Sequence, residues 1–106
     1  MSNVLKSSID KKQYDEQLYI AMQPYRKRIM NSLLRSGSYA SKLAEELKMN
    51  AKVVQFHLDI LQKYELAHGA FDLESPSKGR PVAVRRFTLT ERGQDIIEQV
   101  NNLHRP

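Results

Sequence analysis

Apolar residues recur at helical spacing along most of this chain. From Asp10 to Gln23 every residue is compatible with a helix, with Tyr14, Leu18, Ala21 and Met22 on one side. Residues 1–9 are mixed and short, and are expected to be loosely ordered. Pro24 disfavours helix at the residue before it but suits a first helical position. The pattern therefore breaks at Gln23 and restarts as a second helix, Pro24 to about Arg35. Ile29, Met30 and Leu33 form its apolar arc, while Lys27, Arg28, Asn31 and Arg35 fall on the remaining arc. Gly37 is expected to end it.

Ser38 is a candidate N-cap for a third, short helix reaching about Lys48, with Ala40, Leu43, Ala44 and Leu47 on its buried face. Asn50 is the next cap and opens a fourth helix, Ala51 to about Tyr64. Val54, Leu58 and Leu61 mark its buried stripe; Lys52, Gln55, Asp59, Gln62 and Lys63 lie opposite. Only Met49 and Asn50 separate the two helices. Joints this short between short helices make a helix-turn-helix unit.

After Glu65 the period changes. Residues 66–73 suit a strand, and 74–81, with two Pro, one Gly and two Ser, read as a loop. Residues 82–89 are β-branched, aromatic and basic, so 66–89 is a hairpin with a long basic tip. Thr90 caps a last helix, Glu91 to about Leu103, striped by Ile96, Val100 and Leu103. The expected fold is α+β, mainly α. It is a single winged helix-turn-helix domain over residues 1–106, with flanking N- and C-terminal helices.

Residues 38–66 resemble the helix-turn-helix of ArsR-like and MarR-like transcription regulators. The resemblance rests on Leu43-Ala44, the Asn50 cap, Val54, His57-Leu58 and Leu61. Residues 79–93 resemble the same group's second wing strand and last helix start, through Gly79-Arg80-Pro81 and Leu89-Thr90 ahead of Gly93. The match runs from about Tyr25 to Leu103. It implies a DNA-binding regulator whose His57 packs as a structural residue. Glu65 departs from the pattern, standing where the family often has Gly. The cysteine pairs and His/acid clusters of metal-sensing ArsR-like proteins are missing, so the resemblance brings no metal site.

Composition narrows the options. The chain has 106 residues, 41% hydrophobic and 27% charged, the size of one soluble domain. It has no Cys and three His, at 57, 68 and 104, without zinc-ligand spacing. Thiol chemistry is excluded, and no acid–nucleophile set or Gly-rich phosphate loop is visible. The expectation is no enzyme, no catalytic residues, no cofactor, no metal and no evident small-molecule effector. No run is apolar enough for a membrane span or a signal peptide, so a cytoplasmic protein without a membrane partner is expected.

Charge is clustered. Lys and Arg number 17 against 12 Asp and Glu, a formal net charge of +5. Residues 25–42 and 78–92 together hold ten basic residues and one acid, which leaves the rest of the chain at −4. Clusters of this kind are the electrostatic footprint of nucleic-acid binding.

Candidate DNA-binding residues follow from that footprint. Arg28 and Lys42 supply charge from the first cluster. Asn50, Lys52, Gln55 and Phe56 sit at the start of the fourth helix, which has the width to enter a major groove, and Gln suits the N6/N7 edge of adenine. Lys78 and Arg80 lie at the wing tip, able to follow the backbone or enter a minor groove. Arg85 and Arg86 are consecutive on a strand, so they point to opposite faces and at most one faces DNA.

Tyr14, Leu18, Met22, Ile96, Val100 and Leu103 on the terminal helices are candidate dimer-interface residues. A two-fold dimer would present two recognition helices about one DNA turn apart, ~34–36 Å. The leading reading is a sequence-specific, homodimeric regulator of double-stranded DNA, with repression the simpler outcome. A winged-helix protein-interaction module and an architectural DNA binder are the alternatives. An RNA binder lacks support, since the strands carry no paired aromatics for base stacking.

Overall fold

A computed structural model describes the backbone of residues 3–74 and 79–103, and the side chains of 10–74 and 79–103. The element order is α1 (Asn3–Met22), α2 (Pro24–Arg35), α3 (Ala40–Leu47), α4 (Ala51–Lys63), β1 (Ala67–Glu74), β2 (Val82–Leu89) and α5 (Glu91–Leu103). The architecture is mainly helical with one antiparallel hairpin, a winged helix-turn-helix.

The joints follow from local chemistry. Gln23 stands outside the helical region, and its Oε1 accepts from Arg26 N at 2.9 Å while Pro24 occupies the first position of α2. Asn50 Oδ1 accepts from the amides of Lys52 at 2.8 Å and Val53 at 3.4 Å, closing the start of α4. Thr90 Oγ1 accepts from Gly93 N at 2.9 Å and donates to Glu65 O at 2.7 Å, so one hydroxyl caps α5 and ties it to the turn after α4.

Three expectations are corrected. Residues 3–9 are helical: α1 begins at Asn3 and runs 20 residues. Ser38 does not cap α3; Tyr39 holds that position without a side-chain cap, and Ser38 instead forms a β-bridge with Phe87. The pairing is reciprocal, Ser38 N to Phe87 O at 3.0 Å and Phe87 N to Ser38 O at 2.7 Å, and it consumes the backbone groups near the start of α3. α2 ends at Ser36 in an extended conformation, ahead of Gly37.

The core gathers one face from each element: Ala21, Ile29, Met30, Leu33, Leu43, Val54, Leu58, Leu61, Leu66, Phe87, Ile96, Ile97 and Val100 are buried together. On α1 the face is turned relative to the apolar residues. Gln17 is buried beside Ala21, its Nε2 donating to Tyr64 O at 2.9 Å, whereas Met22 is exposed. α5 packs so close to the end of α4 that a Cβ on Gly93 would run into the Leu66 carbonyl. Only glycine permits that approach.

The hairpin pairs Ala67 with Leu89 through to Glu74 with Val82. Its base is buried through Ala67, Phe87 and Leu89, and its far end is not: Phe71 is 81% and Leu73 69% exposed. The wing thus projects from the body alongside α4.

Candidate nucleic-acid interface

The buried stripe of α4 fixes which side faces out. Val54, His57, Leu58 and Leu61 are buried, which leaves Lys52, Val53, Phe56 and Asp59 exposed and Gln55 half-buried. The first turn of α4 lies beside the start of α3 and strand β2. Tyr39, Ala40 and Ser41, with Ala51, Lys52 and Gln55 and then Val84 and Arg85, line a shallow cleft of about 360 Å³. One exposed face therefore carries the start of both helix-turn-helix helices and the middle of wing strand β2.

The candidate residues divide by what they touch. Lys42 on α3 and Lys52 on α4 are exposed, and so is Arg80 at the wing. Phe56 is exposed and packs edge-on against His57, ring centroids 5.2 Å apart. Asn50 serves as the α4 cap. Arg28 is exposed but donates from Nη2 to Leu47 O at 2.6 Å, so it satisfies a carbonyl at the end of α3. Lys78 lies outside the described residues.

Arg85 and Arg86 point to opposite faces of β2, as strand alternation requires, and both have protein partners. Arg85 turns to α4, where Nη2 donates to Gln62 Oε1 at 2.7 Å and Nη1 lies 3.8 Å from Asp59 Oδ1. Arg86 meets β1, with Nη2 3.1 Å from Glu74 Oε1 and Nε 3.4 Å from Asp72 Oδ2, and donates from Nη1 to Gly37 O at 3.0 Å. These partners come from other elements, so spacing within β2 carried no sign of them.

His57 is buried against α2. Arg26 Nη1 is 3.2 Å from His57 Nδ1, and Arg26 Nε donates to Ile20 O at 2.6 Å. A guanidinium has no lone pair to offer, so Nδ1 is the acceptor and the ring proton sits on Nε2. Burial first, and the Arg26 charge second, hold the imidazole below its ordinary pKa. The residue is a neutral core histidine. Among the described residues no group of three or more His, Asp or Glu is placed to hold a metal ion, and no helix is long and apolar enough to cross a membrane.

The interface candidates on the terminal helices also divide. Ile96 and Val100 are buried within the chain's own core, so they offer nothing to a partner without unfolding α5. Tyr14 and Leu18 are half-buried, Tyr14 with the Arg92 guanidinium 5.8 Å over its ring. Met22 and Leu103 are exposed.

Comparison with known proteins agrees with this architecture. Residues 23–68, spanning α2 to the start of β1, match the model of the arsR family of bacterial regulatory proteins. No curated protein matches in sequence. Among solved structures, a mutant of ZitR from Lactococcus lactis is 26% identical with a TM-score of 0.59; the alignment covers 74% of this chain but 49% of that one, about half its length. A transcriptional regulator homologue from Pyrococcus horikoshii is 19% identical, TM-score 0.65, over 86% of this chain and 88% of that one. The circadian clock associated protein Pex from Anabaena is 20% identical, TM-score 0.61, over 89% and 88%. At these identities the last two speak for the fold alone. Residues 23–68 match the arsR-family helix-turn-helix, and with the wing behind it the chain has a winged helix-turn-helix fold similar to that of ArsR-like transcription regulators.

Proposed function

We propose that residues 1–106 form a single DNA-binding domain that recognises specific double-stranded sites and represses transcription as a homodimer. α4 enters the major groove through Lys52, Gln55 and Phe56, and Asn50 orients its first turn. The wing, residues 74–86, follows the backbone or the adjoining minor groove through Lys78 and Arg80. Lys42 on α3 and Arg28 on α2 add backbone contacts. Tyr14, Leu18, Met22 and Leu103 form the seam with a second copy. No cofactor enters this reading.

The observation that carries it is the shared exposed face: the starts of α3 and α4 and the middle of β2 line one cleft, with Lys42, Lys52 and Arg80 exposed. Cations on a surface that fits the groove supply non-specific affinity, and the α4 side chains supply choice of base. Selection of bound duplexes from a random pool, followed by affinity ratios at one stated salt concentration, tests the reading. A recovered inverted repeat bound at least about 10³-fold more tightly than random duplex supports it. A pool that never converges contradicts it.

A second reading, a protein-docking module, draws on the exposed apolar wing at Phe71 and Leu73 and on the carboxylate partners of Arg85 and Arg86. It expects weak, strongly salt-suppressed DNA binding in the same assay.

A further inference from the structure

Gln55 and Asp59 lie one helical turn apart on the outward side of α4, and Gln55 Nε2 donates to Asp59 Oδ1 at 2.9 Å. A carboxylate can only accept hydrogen bonds, so this contact fixes which way round the Gln55 amide sits. One N–H is spent on Asp59. What Gln55 has left to offer is one N–H and the amide oxygen.

Asp59 is held in turn from the wing. Arg85 Nη1 lies 3.8 Å from Asp59 Oδ1, and Nη2 donates to Gln62 Oε1 at 2.7 Å. The guanidinium lies 5.1 Å over the Phe87 ring. Gly69, opposite Phe87 in the ladder, leaves the path open: a Cβ there would sit 2.9 Å from Arg85 Nε and 2.7 Å from Phe87 Cε1. Arg85 also offsets a charge that phosphates would otherwise repel. Wing strand, acid and amide thus form one chain of contacts ending on the face assigned to DNA.

We propose that Asp59 is a specificity-determining residue. It locks the Gln55 amide so that α4 presents one acceptor and one donor side by side, the complement of adenine N6 and N7. Guanine shows two acceptors in the major groove, cytosine a single donor, and thymine an acceptor beside a methyl group. None matches the fixed pair, whereas an amide free to turn meets each of them half-way. Asp59 acts through Gln55 and is a positioning residue. The inference rests on the reading that α4 enters the major groove.

Competition binding tests it, using the duplex selected by the unaltered chain and its three single-pair variants at each position. Gln55→Ala is measured first and should relax preference at one position, where the unaltered chain favours adenine. Asp59→Ala should lower that adenine preference about tenfold, and Asp59→Asn should retain most of it, because the asparagine oxygen still accepts from Gln55. A merely structural role for Asp59 would weaken all four duplexes alike and leave their ratios in place. The proposal is overturned if Asp59→Ala keeps the full preference, if Asp59→Asn loses as much as Asp59→Ala, or if the position is not adenine. If Gln55→Ala relaxes no position, base reading by α4 fails, and this proposal fails with it. Asp59 is exposed, and unfolding midpoints measured beside each assay confirm that the variants are folded.

Discussion

Arg26 Nη1 sits 3.2 Å from Nδ1 of the buried His57, which makes the imidazole an acceptor and its protonation costly. Folding holds the His57 pKa below its ordinary value through burial and then through the Arg26 charge. The unfolded chain takes up a proton near pH 6.5 that the folded chain refuses. Stability therefore rises with pH through this window and is lost as pH falls from about 6.5 toward the depressed folded value. The urea midpoint should drop between pH 7.5 and 5.5, and His57→Gln should flatten that part of the profile. Equal slopes in the two proteins would show that another group governs it.

Glu65 occupies the left-handed region at φ 62°, one residue beyond the C-cap of α4. A non-glycine residue there costs roughly 1–2 kcal/mol. Among the described residues its side chain has one exposed hydrogen bond, from Gln13 at 3.4 Å. Glu65→Gly should stabilise the fold by up to about 1 kcal/mol after the extra chain entropy of glycine, raising Tm by ~4–8 °C at most. A lower Tm would mean that the Glu65 side chain contributes more than its contact suggests.

Much of this fold can be read in the chain, and the failures have physical causes. Pro24 and the β-branched run of residues 82–89 mark elements whose bounds match the structure, because each carries its own local signal. Apolar spacing starts α1 too late because residues 3–9 do not extend its apolar stripe, although no Gly or Pro interrupts residues 3–22. Apolar spacing points to Leu18 and cannot anticipate that the amide of Gln17 is buried with its Nε2 donating to the distant Tyr64 carbonyl. Ser38 has cap chemistry, but its backbone is claimed by Phe87. At the interface, the exposed arc of α4 was legible from the 3.6-residue period. The pairing of Arg85 with Asp59 and Gln62 was not, because it spans two elements brought together only by folding.

The proposed seam makes a prediction that separates assembly from folding. Met22 and Leu103 are exposed, so Met22→Glu with Leu103→Glu should leave the unfolding midpoint within ~0.5 kcal/mol per site and yield monomers in sedimentation. Val100→Glu, by contrast, buries a charge in the core and should unfold the chain. Dimers that persist in the double variant would place the seam elsewhere.

Arg80 is exposed in the hairpin loop, two residues before β2. Arg80→Ala should weaken binding to all duplexes roughly equally and reduce the salt slope of log K by about 1. An unchanged slope would remove the wing from the interface.

The most direct measurement is the mapping of amide and side-chain NMR shifts as a selected duplex is added to the intact chain. The account expects the largest changes at Lys42, Lys52, Gln55, Phe56 and Arg80, on one face, with α5 little affected. Changes centred on Phe71 and Leu73, or on the α1–α5 side, would contradict it.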